Sequence, residues 1–183
     1  MVLFQILIFL IFMMLHKEKY TIFCCGEGST EGVFLAYLKK LYINKKLTSM
    51  IVRSAKGGCP RNILNKAIDK RKNASYDVSF ILVDQDRLWP DLLINEARRY
   101  NFKLIWSRPR IEGLFFKILG KPVPDKCKSK FWKKYLPEAD SRKIQRFSRK
   151  CTSLFPKKVL DSARRRVRKL DQIIQIIERT KNN

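Results

Sequence analysis

The sequence predicts an α/β fold, a parallel sheet with helices on both faces, followed by a basic helical C-terminal extension. Three observations predict it. Short β-prone apolar runs alternate with segments of helical period through the first hundred residues. One of those runs, "FILV", is continuously apolar in the manner of parallel strands covered on both sides. After "RPRIEG" the period becomes helical throughout.

"YTIFCC" (20–25) reads as the first strand. Residues 30–42 then carry Val33, Phe34, Tyr37, Leu38 and Leu41, a stripe along one side of a helix. "TSMIVR" (48–53) reads as a second strand and "SAKGGCP" as a loop. Pro60 suits the first turn of a helix marked by Ile63, Leu64, Ala67 and Ile68. "DVSFILVD" (77–84) reads as a third strand, the segment from about Pro90 to Tyr100 as a helix, and "FKLIWS" (102–107) as a fourth strand. Residues 112–119 read as a short apolar helix, and 121–158 as lysine-rich segments broken by Pro122, Pro124, Pro137 and Pro156. A last helix over 159–179 carries Leu160, Ala163, Val167, Leu170, Ile174 and Ile177 at heptad-like spacing. That seam either packs on the domain or pairs with a second copy as a homodimer.

A chain of 183 residues with 45% hydrophobic content suits one domain with a small appendage and excludes wholesale disorder. Its formal charge is +24, and the surplus is uneven: residues 1–100 hold 16 basic and 9 acidic side chains, residues 101–183 hold 24 and 7. Such self-repulsion calls for a polyanion, and phosphate backbones are the commonest one. An anionic membrane, or simply a lysine-rich surface, are the alternatives. Cys24, Cys25, Cys59, Cys127 and Cys151 form no CxxC pair, and His16 is the only histidine. No zinc site and no Cys–His or Ser–His pair is therefore expected, and free thiols suit a reducing, cytoplasmic location. The start "MVLFQILIFLIFMML" is shorter than a spanning helix needs and lacks a signal-peptide pattern. Residues 1–18 are either a short anchor or an over-extended reading frame with initiation at Met13 or Met14; the second is favoured, and membrane association is not expected. The organisation expected is 1–18 apolar, 19–120 catalytic, and 121–183 basic and helical.

Functional groups in an open parallel sheet gather at the carboxyl ends of its strands. Glu27 and Glu31 follow the first strand, Asp84 and Asp86 end the third, and Glu112 follows the fourth. Together they predict an all-oxygen pocket for Mg²⁺ or Mn²⁺, with Glu27, Asp84 and Asp86 as ligands. Lys56, Arg108, Arg110, Arg164, Arg165, Arg166 and Arg168 are the candidate phosphate-binding residues. Each member also has a plainer explanation. Glu27 suits a helix N-terminus, Glu31 lies in a first helical turn, and Glu112 can pair with Arg108 or Arg110. "SAKGGCP" lacks the ending of a Walker A motif, so Lys56 can lie in an ordinary turn. A D-x-D pair also holds the metal in nucleotide-sugar transferases.

"GEGSTEGVFLAYL" resembles the first Toprim motif of OLD-family and RloB-like proteins, an E-G-x-T-E turn between strand and helix. "FILVDQD" resembles the second, a strand ending in D-x-D, and "SAKGGCPRNILNKAID" is similar to the segment between them. "SRPRIEGLFFKIL" is similar to a third stretch, with Ile111 in place of an aromatic and Gly113 following. The likeness covers about 19–120; the basic C-terminal part resembles nothing identifiable. It implies a Toprim-like sheet and metal-dependent phosphodiester chemistry, with Glu27 as ligand or general base, Asp84 and Asp86 holding Mg²⁺, and Glu31 as an auxiliary acid. Topoisomerase and primase would each need further domains, which leaves a nuclease acting on DNA or RNA, tRNA included. The resemblance further implies a toxic effector in anti-phage defence beside an ABC-type ATPase. The rival is a non-catalytic nucleic-acid- or partner-binding module in a Toprim shell.

Overall fold

The computed structural model describes Gln5 and residues 19–72, 74–86, 88–124 and 142–181. Expectations for residues 1–4 and 6–18, and for Cys127 and Pro137, lie outside the described residues. Four strands, β1 (Tyr20–Gly26), β2 (Thr48–Ser54), β3 (Val78–Asp84) and β4 (Phe102–Ser107), form one parallel sheet in the order β2-β1-β3-β4. Cys24 lies between Val52 and Phe80 in register, and Ile81 faces Leu104, which places β1 and β3 at the centre. The central strands are apolar because both of their faces are covered. Ile22, Cys24, Phe80 and Leu82 join one core, while Phe23, Cys25, Ile81 and Val83 join the other.

The second core is closed by α2 (Pro60–Arg71) and α3 (Asp91–Arg99) through Ile63, Leu64, Ala67, Leu93 and Ala97. The first is closed by α1 (Ser29–Tyr42), α4 (Ile111–Ile118) and three C-terminal helices, α5 (Arg142–Leu154), α6 (Lys157–Arg164) and α7 (Arg168–Glu178). Phe115 of α4 ties this layer together: its ring lies 5.0 Å from Phe34 of α1, 5.4 Å from Phe147 of α5 and 5.1 Å from Phe155. Polar bonds fasten the same layer. Tyr37 Oη donates to Phe155 O at 2.9 Å, Tyr42 Oη to Asp161 Oδ1 at 2.8 Å, and Thr48 Oγ1 to Arg179 O at 2.7 Å.

The C-terminal seam packs on the domain: Leu160, Ala163, Val167, Leu170, Ile174 and Ile177 are all buried in the first core. The single helix expected over 159–179 is instead two. The amides of Arg166 and Val167 both bond to Ala163 O, and the chain bends at Val167 before α7 begins. No proline or glycine marks the break; it follows from burying Val167 while Arg166 Nη2 reaches Ile118 O at 2.9 Å. No helix among the described residues is long and apolar enough to cross a membrane. Cys24, Cys25 and Cys151 are buried free thiols, and burial pushes the thiols of Cys25 and Cys151 up to about 12. Cys59 is exposed.

Candidate active site

Chain order and sheet order part company between β1 and β3. The chain passes from β1 to β2 on one flank, then returns past β1 to β3 and on to β4 at the other. A crevice opens at the carboxyl ends of the strands at such a switch point. Glu27 lies immediately beyond β1, and Asp84 ends β3.

Glu27 is 4% exposed and joins three segments. Its amide donates to Leu82 O at 2.9 Å, its carbonyl accepts from Gly57 N at 2.8 Å, and its Oε2 accepts from the amide of Asp84 at 3.0 Å. The bond from Gly57 draws the "SAKGG" loop to the end of β1. In that loop Lys56, Gly57 and Gly58 all have positive φ, a conformation that glycine adopts readily and lysine seldom does.

Glu31 reaches the same place through close contact between strand and helix. A Cβ on Gly26 would stand 2.5 Å from Gly32 N and 2.6 Å from Glu31 Cβ, so only glycine lets α1 begin directly over the end of β1. From the third position of α1, Glu31 turns back and its Oε2 accepts from Gly28 N at 2.8 Å. The capping role considered for Glu27 therefore falls to Glu31, which satisfies one of the otherwise unpaired amides of the first turn. Glu31 is 5% exposed. Burial above all, then the charge of Asp84 and, more weakly, that of Glu112, push its carboxyl from 4.5 up to about 8 against the pull of the Gly28 bond.

Asp84 uses a single oxygen for its hydrogen bonds. Oδ1 accepts from Ser107 Oγ at 2.8 Å and from the amide of Ile111 at 2.9 Å, and Oδ2 has no hydrogen-bond partner among the described residues. Burial raises its pKa; those two bonds and Arg110 oppose the rise, and Asp86 adds to it. Glu112, 3% exposed, stands in the first turn of α4. That helix is pressed onto the end of β4, because a Cβ on Gly113 would lie 2.5 Å from Arg108 O.

Asp86 departs from the expected paired D-x-D. Its Oδ2 meets Arg110 Nε at 2.5 Å, so the two aspartates are engaged by different partners. The alternative pairing of Glu112 with Arg108 or Arg110 has competition, since Arg110 holds Asp86 and Arg108 Nε donates to the side chain of Gln85. Among the described residues, no group of three or more His, Cys, Asp or Glu side chains is arranged to hold a metal ion. The donor chemistry still suits a hard divalent cation. Burial, with a smaller contribution from neighbouring carboxylates, raises the pKa of both Glu31 and Asp84, and a bound cation would offset that penalty on their charged forms.

The predicted phosphate-binding residues divide. Lys56, Arg108, Arg165 and Arg168 are exposed. Arg164 is occupied within the fold, with Nε on Asp171 Oδ1 at 2.8 Å and Nη2 on Glu178 Oε2 at 3.0 Å, so it clamps α6 to α7. Arg166 anchors the α6–α7 turn on α4. Ser107 and the amide of Ile111, which orient Asp84, went unpredicted. The available signal was the serine at the carboxyl end of a strand beside a D-x-D strand.

No curated protein and no solved structure matches this chain. The model of one protein family, described as RloB-like protein, matches residues 20–182. The match runs through the sheet, the acid cluster and the C-terminal helices, including the basic region that resembles nothing identifiable by motif alone. The chain belongs to the RloB-like protein family.

Proposed function

We propose that this chain is a Toprim-type, Mg²⁺- or Mn²⁺-dependent nuclease that hydrolyses phosphodiester bonds of DNA or RNA, serving as a toxic effector in anti-phage defence. One observation carries the proposal. Glu27, whose Oε2 accepts from the Asp84 amide, and Glu31, whose carboxyl feels the charges of Asp84 and Glu112, are nearly buried at the carboxyl ends of a parallel sheet in a chain of net charge +24. Carboxylates crowded in this way repel one another, and a divalent cation offsets the repulsion.

Glu27, Asp84 and Asp86 would hold the ion, an arrangement that requires Asp86 to leave Arg110. A bound divalent ion there would polarise a phosphoryl oxygen and acidify a water molecule. The protein's own groups have separate tasks. Ser107 Oγ and the amide of Ile111 fix the orientation of Asp84. Glu31, which accepts from the Gly28 amide beside Asp84, stands as an auxiliary acid. Lys56, Arg108 and Arg110, freed from Asp86, supply positive charge for the phosphate chain.

A second reading draws on the Arg110–Asp86 pair, which engages an acid that metal chemistry would need. In it, the chain is a non-catalytic basic module that binds nucleic acid or a partner. Purified full-length protein, incubated with plasmid DNA and with total tRNA in Mg²⁺ or in EDTA, separates the two. Cleavage that requires metal and is lost in Asp84→Asn supports the nuclease. Failure to cut either substrate, with an ABC-type ATPase partner also supplied, favours the binding module.

A further inference from the structure

Beside the acid cluster lies a groove of about 1010 Å³. One wall comes from the ends of β3 and β4, with Asp86, Ser107 and Arg108; another comes from the α6–α7 turn, with Arg166, Arg168 and Lys169. Lys117 of α4 also lines it, as do Trp89 and Trp106. The groove is continuous with the candidate active site, because Ser107 donates to Asp84 and Asp86 forms part of the lining.

Its charge is one-sided. Arg108, Lys117, Arg166, Arg168 and Lys169 are exposed, and among the described residues none of the five makes an ion pair. Asp86, the carboxylate in the lining, is already taken by Arg110. The apolar part is aromatic. Trp106 is half-buried and meets Trp89 edge-on, with ring centroids 6.0 Å apart and planes at 90°. Trp89 is 5% exposed, and its indole N–H has no acceptor among the described residues. Leu88, 87% exposed, stands at the rim.

Cations with no carboxylate partner among the described residues, arranged beside the half-buried Trp106, match a ligand that carries both phosphates and flat π faces. A duplex presents phosphates but hides its base faces in the stack, and an anionic lipid headgroup has no such face. We infer that this groove binds a single-stranded segment of nucleic acid, with a base stacked on Trp106 and the backbone on Arg108, Lys117, Arg168 and Lys169. The inference rests on the nuclease reading only for what happens to the strand; binding is tested apart from cleavage.

The test is fluorescence anisotropy of the full chain in EDTA, with labelled oligothymidylate, oligouridylate and a hairpin duplex of equal length. The expected result is tighter binding of one or both single strands than of the hairpin, and the better of the two distinguishes DNA from RNA. Trp106→Ala should weaken single-strand binding about 5- to 150-fold, as loss of one stacked base does, while Trp106→Phe retains most of the affinity. Because Trp106 packs on Trp89, a second variant avoids the core. Arg168→Ala with Lys169→Ala should lower the slope of log affinity against log salt by about 1.4, at ~0.7 per phosphate contact. Equal affinity for hairpin and single strand, unchanged binding in both variants, or full competition by a free mononucleotide would each overturn the inference. Binding as expected in a protein that never cuts with metal would leave the groove standing and remove the nuclease; cutting without groove-dependent binding would do the reverse.

Discussion

Replacing Glu31 with glutamine removes a buried charge from the carboxyl ends of the strands, where burial weighs on it first and neighbouring carboxylates second. In the folded chain this carboxyl is displaced from 4.5 to about 8, chiefly by burial and then by Asp84. Between those two values the folded state keeps a proton that the unfolded state has lost. Stability from this group is therefore complete below the unfolded value and declines as pH rises toward the folded one. At ~1.4 kcal/mol per pH unit the displacement corresponds to roughly 5 kcal/mol, an upper limit because the first turn of α1 can open once Glu31 ionises. Glutamine keeps an acceptor for the Gly28 amide and carries no charge. Thermal melts in EDTA across about pH 4 to pH 9 should show the two proteins equal at the acid end. At the alkaline end Glu31→Gln should lead by about 2–5 kcal/mol, or roughly 5–15 °C for a chain of this size. Added Mg²⁺ should recover part of that difference in the native protein. Parallel melting curves over the whole pH range, or a variant less stable at alkaline pH, would refute the electrostatic reasoning.

Two other substitutions follow from particular contacts. Glu27→Ala leaves the part-buried amide of Asp84 without its acceptor and should cost about 1–3 kcal/mol in denaturant unfolding, whereas Glu27→Gln keeps the bond and should cost less. A simple relief of charge repulsion would instead make both variants more stable. Arg164→Ala removes a clamp on Asp171 and Glu178 and should destabilise by about 1–3 kcal/mol while leaving the salt slope of nucleic-acid binding unchanged. A flatter slope with intact stability would return Arg164 to the binding surface.

The sheet was legible because β1, β3 and the helices between them obey two clean periods, and each strand begins and ends within a residue or two of expectation. The acids were legible because a parallel sheet forces Glu27 and Asp84 to its carboxyl edge whatever the side chains do. Side-chain allegiance was not legible. Nothing in "VDQD" says that Asp86 turns to Arg110 while Asp84 is held by Ser107, since those partners arrive from β4 and the turn after it. In the same way "RRRVRK" reads as a uniform arginine band, yet burying Val167 bends the chain and divides the arginines. Arg164 then serves the fold, Arg166 is exposed but tied to Ile118 O, and Arg165 and Arg168 face solvent. Trp89 and Trp106, far apart in sequence, gave no sign of lining one groove, because only the packing of α3's leading loop on β4 brings them together.

Titration of the metal-free full chain with Mn²⁺, read by the electron paramagnetic resonance of the free ion, tests the central claim most directly. Carboxylates at the ends of β1 and β3 that share a divalent cation predict saturable Mn²⁺ binding that weakens on acidification and is abolished in Asp84→Asn. Absence of saturable binding, or binding that Asp84→Asn leaves untouched, would contradict it.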